Sequence, residues 1–102
     1  MDYSAETFSQ HVNTKFMVNV DSANKVELEL VEVALRKIGP NEQKGMERFS
    51  TFFYGPPNFV LPQQTYDLIH PELGALQIFL VAIAQDERGT KYEAVFNRFN
   101  EP

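Results

Sequence analysis

The two histidines are the side chains best suited to acid–base chemistry or metal binding in this 102-residue chain, and they lie far apart in sequence. His11 is near the start of the chain, and His70 directly precedes Pro71. Neither belongs to an H-x-H, H-x-x-x-H or H-E-x-x-H pattern, in which close spacing directs the ligands at one ion. The chain has no cysteine, which excludes thiolate metal sites and disulfides. We therefore predict no metal site and no cofactor, and we interpret His70 as a turn residue that bonds nearby backbone.

Nucleophilic catalysis requires a serine or threonine, a base and an orienting acid. None of the serines stands in a G-x-S-x-G elbow, and Ser50 lies inside a predicted strand, where it points outward or bonds a neighbour. The chain's glycines are isolated, so no phosphate-binding loop is predicted. These patterns favour a protein that is not an enzyme.

Paired carboxylates, which glycosidases use, occur at Glu27, Glu29 and Glu32. The first two lie two residues apart and share one face of a predicted strand. A solvated outer face is the commoner origin of such a pattern. We interpret the three carboxylates in that way.

Tyr54, Tyr66 and Tyr92 fall on predicted strands with phenylalanines nearby. Tyrosines that face the inside of a barrel can line a ligand cavity, or they can pack with the hydroxyl reaching a partner at the rim. We favour packing. For the alternative, a small-molecule site, the predicted binding residues are Tyr54, Tyr66 and His70.

The composition is that of one soluble domain, with 43% hydrophobic and 23% charged residues. We predict a single domain over 1–102, with 1–5 and 99–102 as loose tails. The net charge is −5 and the lysines and arginines are scattered, so neither nucleic acid nor an anionic membrane is a predicted partner. The chain shows no signal-peptide pattern and no apolar run that reaches the roughly 18 residues of a membrane span, which favours the cytoplasm.

The first half of the sequence predicts a short helix and two strands. Thr7 is the predicted cap of a helix over 6–12, on which Phe8 and Val12 share the buried face. Strands are predicted over 15–20 and 25–37. The second of these changes phase at Leu30-Val31, where a β-bulge would keep one continuous apolar side. A surface loop is predicted over 38–47.

The second half predicts strands over 48–54 and 65–70 and a hairpin of 76–85 with 90–97. Asp86 to Gly89 forms the hairpin turn, and Gly74 ends an earlier turn at a position that favours positive φ. Phe59 to Leu61 is predicted to tuck onto the core and to cover a barrel end. The fold class is therefore all-β and mainly antiparallel, a small barrel or sandwich of about six strands with a short N-terminal helix.

Residues 49–54 and 76–84 are apolar on both faces, which an open surface strand does not tolerate. We predict that 76–84 lie centrally. The core would be on one side and the N-terminal helix, the Phe59–Leu61 loop or a second subunit on the other.

Several motifs in order resemble an uncharacterised bacterial family of domains of unknown function. They are Phe49-Ser50, Phe53-Tyr54-Gly55-Pro56, Leu61-Pro62-Gln63 with Thr65-Tyr66, His70-Pro71-Glu72-Leu73-Gly74, Phe79-Leu80-Val81 and Tyr92 to Asn97. The resemblance covers residues 5–98. This chain departs at Gln64, where glycine is common, and at Ala82, where proline is common. The resemblance implies a small cytoplasmic protein sometimes associated with phage-tail-collar-like proteins, and it implies no catalytic residues.

These observations favour a non-enzymatic β domain that acts through protein–protein contact. It would be an accessory or assembly component of a phage-tail-like or surface structure. The predicted partner is another protein or a second copy of the chain. The alternative is a small-molecule-binding β-barrel.

Overall fold

A computed structural model describes residues 4–21, 23–36 and 46–99. The chain forms one short helix and six strands, α1 (Ala5–Ser9), β1 (Lys15–Asn19), β2 (Lys25–Leu35), β3 (Met46–Gly55), β4 (Gln64–His70), β5 (Gly74–Asp86) and β6 (Gly89–Phe99). Most of the predicted loop over 38–47 and the outermost residues of both predicted tails lie outside the described residues.

The six strands close into a barrel in the order β1-β2-β3-β6-β5-β4, and every neighbouring pair is antiparallel. The predicted all-β, mainly antiparallel fold with about six strands and a short helix is confirmed. The ring closes where β1 meets β4, with Met17, Val18 and Asn19 opposite Ile69, Leu68 and Asp67. Closure matters because it leaves no open sheet edge along this side.

The predicted bulge in β2 is confirmed, since the register with β3 shifts between Leu30 and Glu32. Leu28 and Leu30 point into the barrel and are fully buried, and Val33, beyond the bulge, still packs against the core. The apolar side ends there, because Leu35 is 74% exposed. A bulge adds one residue and restores the inward phase, as the alternation in the sequence requires.

A second bulge, in β5, was not predicted. The register with β6 shifts between Ala82 and Ala84. Because Val81, Ala82, Ile83 and Ala84 are all apolar, no change of phase marks the extra residue.

Side chains fill the inside of the barrel, and each of those named next is at most 3% exposed. They are Phe16, Val18, Leu28, Leu30, Phe49, Phe53, Tyr66, Leu68, Leu76, Ile78, Leu80, Tyr92 and Ala94. Barrels of this size have room inside for packed side chains rather than a channel. Hydrophobic burial of this layer is the main force that holds the ring together.

Helix α1 covers one end of the barrel. Its Phe8 ring lies 6.0 Å from the ring of Phe49 and 5.3 Å from that of Phe96, measured between centroids. Val12 packs against the same core but lies beyond the end of the helix, so burial of both residues is as predicted while their shared helix face is not. The helix thus covers this end of the barrel and is held there by the packing of one aromatic side chain, Phe8.

The helix cap differs from the prediction. Ser4 and not Thr7 is the N-cap, and its Oγ accepts a hydrogen bond from the Thr7 amide at 3.1 Å. The helix ends at Ser9 rather than continuing to Val12. Ser4 and Ala5, which the sequence places in a loose tail, are buried because the cap and first turn sit against the barrel.

Residues 56–63 cross the other barrel end. Leu61 is buried and its amide donates to the Tyr92 hydroxyl at 2.8 Å. The prediction that the loop tucks onto the core holds for Leu61. It is wrong for Phe59 and Val60, which are 41% and 46% exposed, since only Leu61 points inward.

The two positive-φ glycines provide a matched test of the backbone. Gly74 has φ +79° and open space where a Cβ would stand, as predicted for its turn, whereas a Cβ on Gly89 would lie 2.0 Å from the Gly55 carbonyl oxygen. We expect Gly74→Ala to lower the free energy of unfolding by about 1 kcal/mol through backbone strain alone. Gly89→Ala should lower it by about 3 kcal/mol, because backbone must also move. Urea unfolding measures both, and equal losses would contradict the tight approach of Gly89 to Gly55.

Candidate functional site

The three predicted binding residues lie in separate places. Tyr54 is on the outer face of β3, beside the turn that joins β5 and β6. Tyr66 points into the barrel near segment 56–63, and His70 lies at the opposite end, next to α1. The structure therefore does not bring Tyr54, Tyr66 and His70 together around one pocket.

Tyr54 belongs to a polar and aromatic surface. Its hydroxyl donates to the Asp86 carboxylate at 2.7 Å, and that bond raises the pKa of Tyr54. The Arg88 guanidinium stands 4.5 Å from its ring centroid, and the Lys91 ammonium stands 4.9 Å from that of Phe52. Cations attracted to ring faces thus cover the outer aromatic side chains of β3. The predicted cover of this strand exists, but side chains of the β5–β6 hairpin provide it.

Tyr66 and Tyr92 pack inside the barrel and use their hydroxyls at its rim. Tyr66 donates to the Pro62 carbonyl at 2.5 Å, and Tyr92 accepts the Leu61 amide. Burial raises the pKa of both hydroxyls. The two tyrosines therefore anchor segment 56–63, in agreement with the packing interpretation.

His70 is a buried turn residue, and its hydrogen bonds determine which ring nitrogen carries the proton. Its Nδ1 accepts hydrogen bonds from the amides of Glu72 and Leu73 at 3.0 and 3.2 Å. Since two N–H groups point at Nδ1, the geometry assigns the ring proton to Nε2. Burial, followed by the nearby charge of His11, lowers the pKa of His70. The turn interpretation of His70 is confirmed, and the imidazole is held neutral.

The Nε2 proton of His70 continues a chain of hydrogen bonds. Nε2 lies 2.9 Å from the Thr14 Oγ1, and the Thr14 hydroxyl donates to the His11 carbonyl at 2.6 Å. Thr14 therefore accepts from one side and donates to the other. All three groups are satisfied inside the protein.

His11 has the opposite protonation preference. Its Nδ1 lies 2.9 Å from the Thr7 carbonyl oxygen and its Nε2 lies 3.2 Å from a Glu72 carboxylate oxygen. Both partners only accept, so a doubly protonated ring satisfies both. The Thr7 bond, with a smaller contribution from Glu72, raises the pKa of His11 against the opposing effect of burial. We name His11, Thr14, His70 and Glu72 the histidine network.

No pattern in the sequence indicates this network. The His11 and His70 ring centroids are 4.9 Å apart at an interplanar angle of 86°, although His11 and Glu72 are 61 residues apart in sequence. Antiparallel pairing of β1 with β4 brings them together. Spacing along the chain carries no information about such pairing.

The histidine network is poorly suited to a metal ion. Both nitrogens of His70 already have hydrogen-bond partners. Within residues 4–21, 23–36 and 46–99, no group of three or more His, Cys, Asp or Glu side chains has an arrangement that could hold a metal. The chemistry the network does support is proton uptake and release at His11.

Ser50 and the glutamates sit in surface contacts. Ser50 is 2% exposed, and its hydroxyl donates to the Glu93 carboxylate at 2.8 Å, with Arg36 at 3.2 Å. The prediction that Ser50 bonds a neighbour is confirmed. Glu29 forms an ion pair with Lys15 at 3.3 Å across the outer faces of β1 and β2. These contacts hold neighbouring strands together.

The outer face of β5 differs from that of β3. Phe79, Val81 and Ile83, which we name the β5 stripe, point away from the core, and Phe79 and Ile83 are 49% and 45% exposed. Val95 on the adjacent strand β6 is 52% exposed, and Ile69 on β4, opposite Ala75 and nearer the start of β5, is 45% exposed. The core on the inner side of β5 is as predicted. Cover of the outer side by α1 or by the Phe59–Leu61 loop is wrong, because both lie at barrel ends.

One surface depression lies away from this stripe. It is an open groove of about 460 Å³ between the β1–β2 turn and segment 56–59. Val20, Val26, Pro56 and Phe59 supply its apolar lining, and Lys25 and Glu27 are among its polar residues. It is a surface feature and not a cavity inside the barrel.

Two threonines test whether the histidine network stabilises the protein. Thr14 joins two partners, whereas the Thr51 hydroxyl is buried with no hydrogen-bond partner in the described part of the chain. We expect Thr14→Val to lower the free energy of unfolding by about 2 kcal/mol, because a buried imidazole N–H and a carbonyl lose their partner. Thr51→Val should be neutral or raise it by about 1 kcal/mol, because a buried unpaired hydroxyl is removed. Urea unfolding distinguishes the two signs, and a Thr14→Val variant as stable as wild type would contradict the network.

Comparison with known proteins finds a family but no activity. The model of the family described as Domain of unknown function (DUF6916) matches residues 3–96. No curated protein and no solved structure gives a significant match. Among the described residues, no helix has the length and apolar character needed to span a bilayer.

Proposed function

Because the chain belongs to the family Domain of unknown function (DUF6916), we propose a function from the geometry of its surface. The protein is a non-enzymatic β domain that acts by binding another protein or a second copy of itself. The β5 stripe is the centre of that contact. The observation that carries the proposal is the exposure of Phe79 and Ile83 in a strand whose inward-facing Leu76, Ile78 and Leu80 are buried.

The contrast between β3 and β5 supports this assignment. Phe52 and Tyr54 on β3 have Lys91 and Arg88 over their rings, and both are only partly exposed. In the described chain, nothing comparable covers Phe79 on β5. Exposed apolar side chains grouped on one side of a sheet are typical of interaction surfaces, while isolated ones are ordinary.

The size of the stripe indicates a contact of modest strength. Burying the exposed half of a Phe, Ile or Val side chain contributes about 1 kcal/mol. Phe79, Ile83 and the neighbouring Val95 are about half exposed and together would give about 3 kcal/mol, whereas association itself opposes binding by at least about 4 kcal/mol. Such a contact acts best when many copies are held together, as in a repeating assembly.

The proposed setting follows from this strength and from the family resemblance. The motifs resemble bacterial proteins that are sometimes associated with phage-tail-collar-like proteins. We therefore place the chain, as a proposal, in the cytoplasm as an accessory or assembly component of a phage-tail-like or surface structure. Assemblies of that kind present many equivalent contacts, which suits a weak apolar stripe.

Nucleic acid is a poor fit for the partner. The net charge is −5. Lys15 and Arg36 form ion pairs with Glu29 and Glu93. Arg88 and Lys91 lie over aromatic rings. Phosphate binding depends on a concentrated group of available cations, and these four are engaged elsewhere.

Small-molecule binding is the alternative. The groove lined by Val20, Val26, Pro56 and Phe59 is the feature that supports it, with about 460 Å³ of open volume. Such a ligand would lie outside the barrel, because Tyr66 and His70 are already bonded and buried. The groove has few polar groups in fixed positions, and specific small-molecule sites need them. The protein-binding proposal therefore has the stronger support.

Phe79→Lys tests the proposal. The side chain points away from the core, so the variant should fold with a free energy of unfolding close to that of wild type. It should weaken self-association or capture of a partner from the native cell at least about tenfold, because a charge replaces the central apolar contact. Sedimentation of the purified chain over a range of concentrations and affinity capture with quantitative detection provide the two measurements.

Leu35→Lys is the matched control. Leu35 is the most exposed of the large hydrophobic side chains described, at 74%, but it lies at the end of β2, away from the β5 stripe. This variant should associate like wild type. A wild-type chain that stays monomeric and captures no partner would contradict the proposal, as would a Phe79→Lys variant that binds like wild type.

A further inference from the structure

We propose that His11 and Glu72 form a proton-operated clasp across the seam between β1 and β4. The clasp is closed when both nitrogens of His11 carry protons, and it then holds α1 over the end of the barrel. It opens when His11 loses the proton on Nε2. This inference concerns regulation of the fold and does not depend on the proposed function.

The seam is the place where the barrel has the fewest backbone pairs. β1 and β4 pair over Met17, Val18 and Asn19 alone, whereas β3 and β6 pair continuously from Met46 to Gly55. A short ladder contributes few hydrogen bonds, so side chains at its end have a large relative effect. The two hydrogen bonds of the histidine network that cross the seam, Thr14–His70 and His11–Glu72, lie just beyond the Met17–Ile69 end of this ladder.

The network fastens the α1–β1 connection to the β4–β5 turn. Thr14 precedes β1 and contacts His70, the last residue of β4. His11 follows α1 and contacts Glu72, which lies in the turn after β4. The backbone of the same connection is tied to β2, since Asn13 and Leu30 bond through N–H and C=O at 2.6 Å. The His11–Glu72 contact is therefore the hydrogen bond between the α1–β1 connection and the β4–β5 turn that lies farthest from the paired strands.

Proton loss at His11 changes its interaction with Glu72 from attractive to repulsive. The Thr7 carbonyl only accepts, so the single remaining proton stays on Nδ1. The Nε2 lone pair then faces the Glu72 carboxylate at 3.2 Å, and repulsion replaces a charge-assisted hydrogen bond. The Glu72 side chain is 76% exposed, so it can swing into solvent once the attraction is lost.

Among the described residues, the titratable groups that face His11 come from the other side of the seam. They are Glu72 at 3.2 Å and the His70 ring at a centroid distance of 4.9 Å. On its own side of the seam, the His11 Nδ1–H donates to the Thr7 carbonyl and the His11 carbonyl accepts from the Thr14 hydroxyl, and neither partner titrates. His70 stays neutral through its two amide donors, so one proton operates the clasp.

The direction of the pH dependence follows from linkage. The folded chain raises the pKa of His11 above its ordinary value of 6.5. The stabilisation is therefore complete below pH 6.5 and is lost as pH rises through the higher folded value. His70 has the reverse shift, so its contribution is complete above 6.5 and is lost as pH falls through the lower folded value. The clasp itself opens on the alkaline side.

Glu72→Gln tests the clasp, with Glu87→Gln as the matched control. Both residues are exposed and lie in turns between strands, but Glu87 has no contact with the network. NMR titration of the His11 ring should show a pKa above 6.5 in wild type and in Glu87→Gln, and a lower pKa in Glu72→Gln. The amide of Glu72, which bonds His70, remains in all three proteins.

Hydrogen exchange of α1 and the following turn supplies the second readout. Protection factors, corrected for intrinsic exchange, should fall about threefold in wild type and Glu87→Gln between about pH 6 and pH 8.5. In Glu72→Gln the fall should be smaller, because the Thr7 bond alone then favours the protonated His11 ring. An unchanged His11 pKa in Glu72→Gln would overturn the proposal, and so would α1 protection in wild type that does not change with pH.

Discussion

Closure of the ring between β1 and β4 is the constraint on which the rest of the structure depends. Six antiparallel strands of this length enclose a core only if the first strand also pairs with the fourth. Without that contact Phe16 and Val18 on one side and Leu68 on the other would face water. The ladder at the seam is short, and the histidine network extends it with side-chain hydrogen bonds that continue past the last backbone pair.

Several polar side chains form the hydrogen bonds that hold the closed barrel together. His70 and Thr14 bind across the seam, Tyr66 and Tyr92 hold segment 56–63 over one barrel end, and Ser50 joins Glu93 on the outer wall. These side chains thus hold strands, ends and turns together. The β5 stripe, in contrast, leaves Phe79 and Ile83 exposed on the outer wall.

Features that depend on neighbouring residues could be predicted from the sequence. The change of phase at Leu30-Val31 required a bulge, and Gly74 required a turn with positive φ. The apolar faces of 76–84 indicated a strand with the core on one side. Each of these follows from alternation or from backbone sterics, which act over a few residues.

Features that depend on distant pairing could not be predicted. Strand order decides whether the strands form a barrel or a sandwich. It also brings His11 close to His70 and Glu72. The Ser4 cap was missed because Thr7 fits the same local rule, and a choice between them depends on where the barrel lies. Alternation alone does not show which face of β3 carries Tyr54, because 49–54 are apolar on both faces, and Tyr54 lies on the outer wall away from Tyr66 and His70.

The state of the His70 ring tests the central claim most directly, because closure places it between two amides and a hydroxyl. Long-range ¹H–¹⁵N NMR of the native chain reports which ring nitrogen carries the proton. We expect a single neutral form with the proton on Nε2 at neutral pH, and a pKa for His70 below 6.5. A proton on Nδ1, or a His70 that titrates at or above 6.5, would show that the seam is not closed in this way.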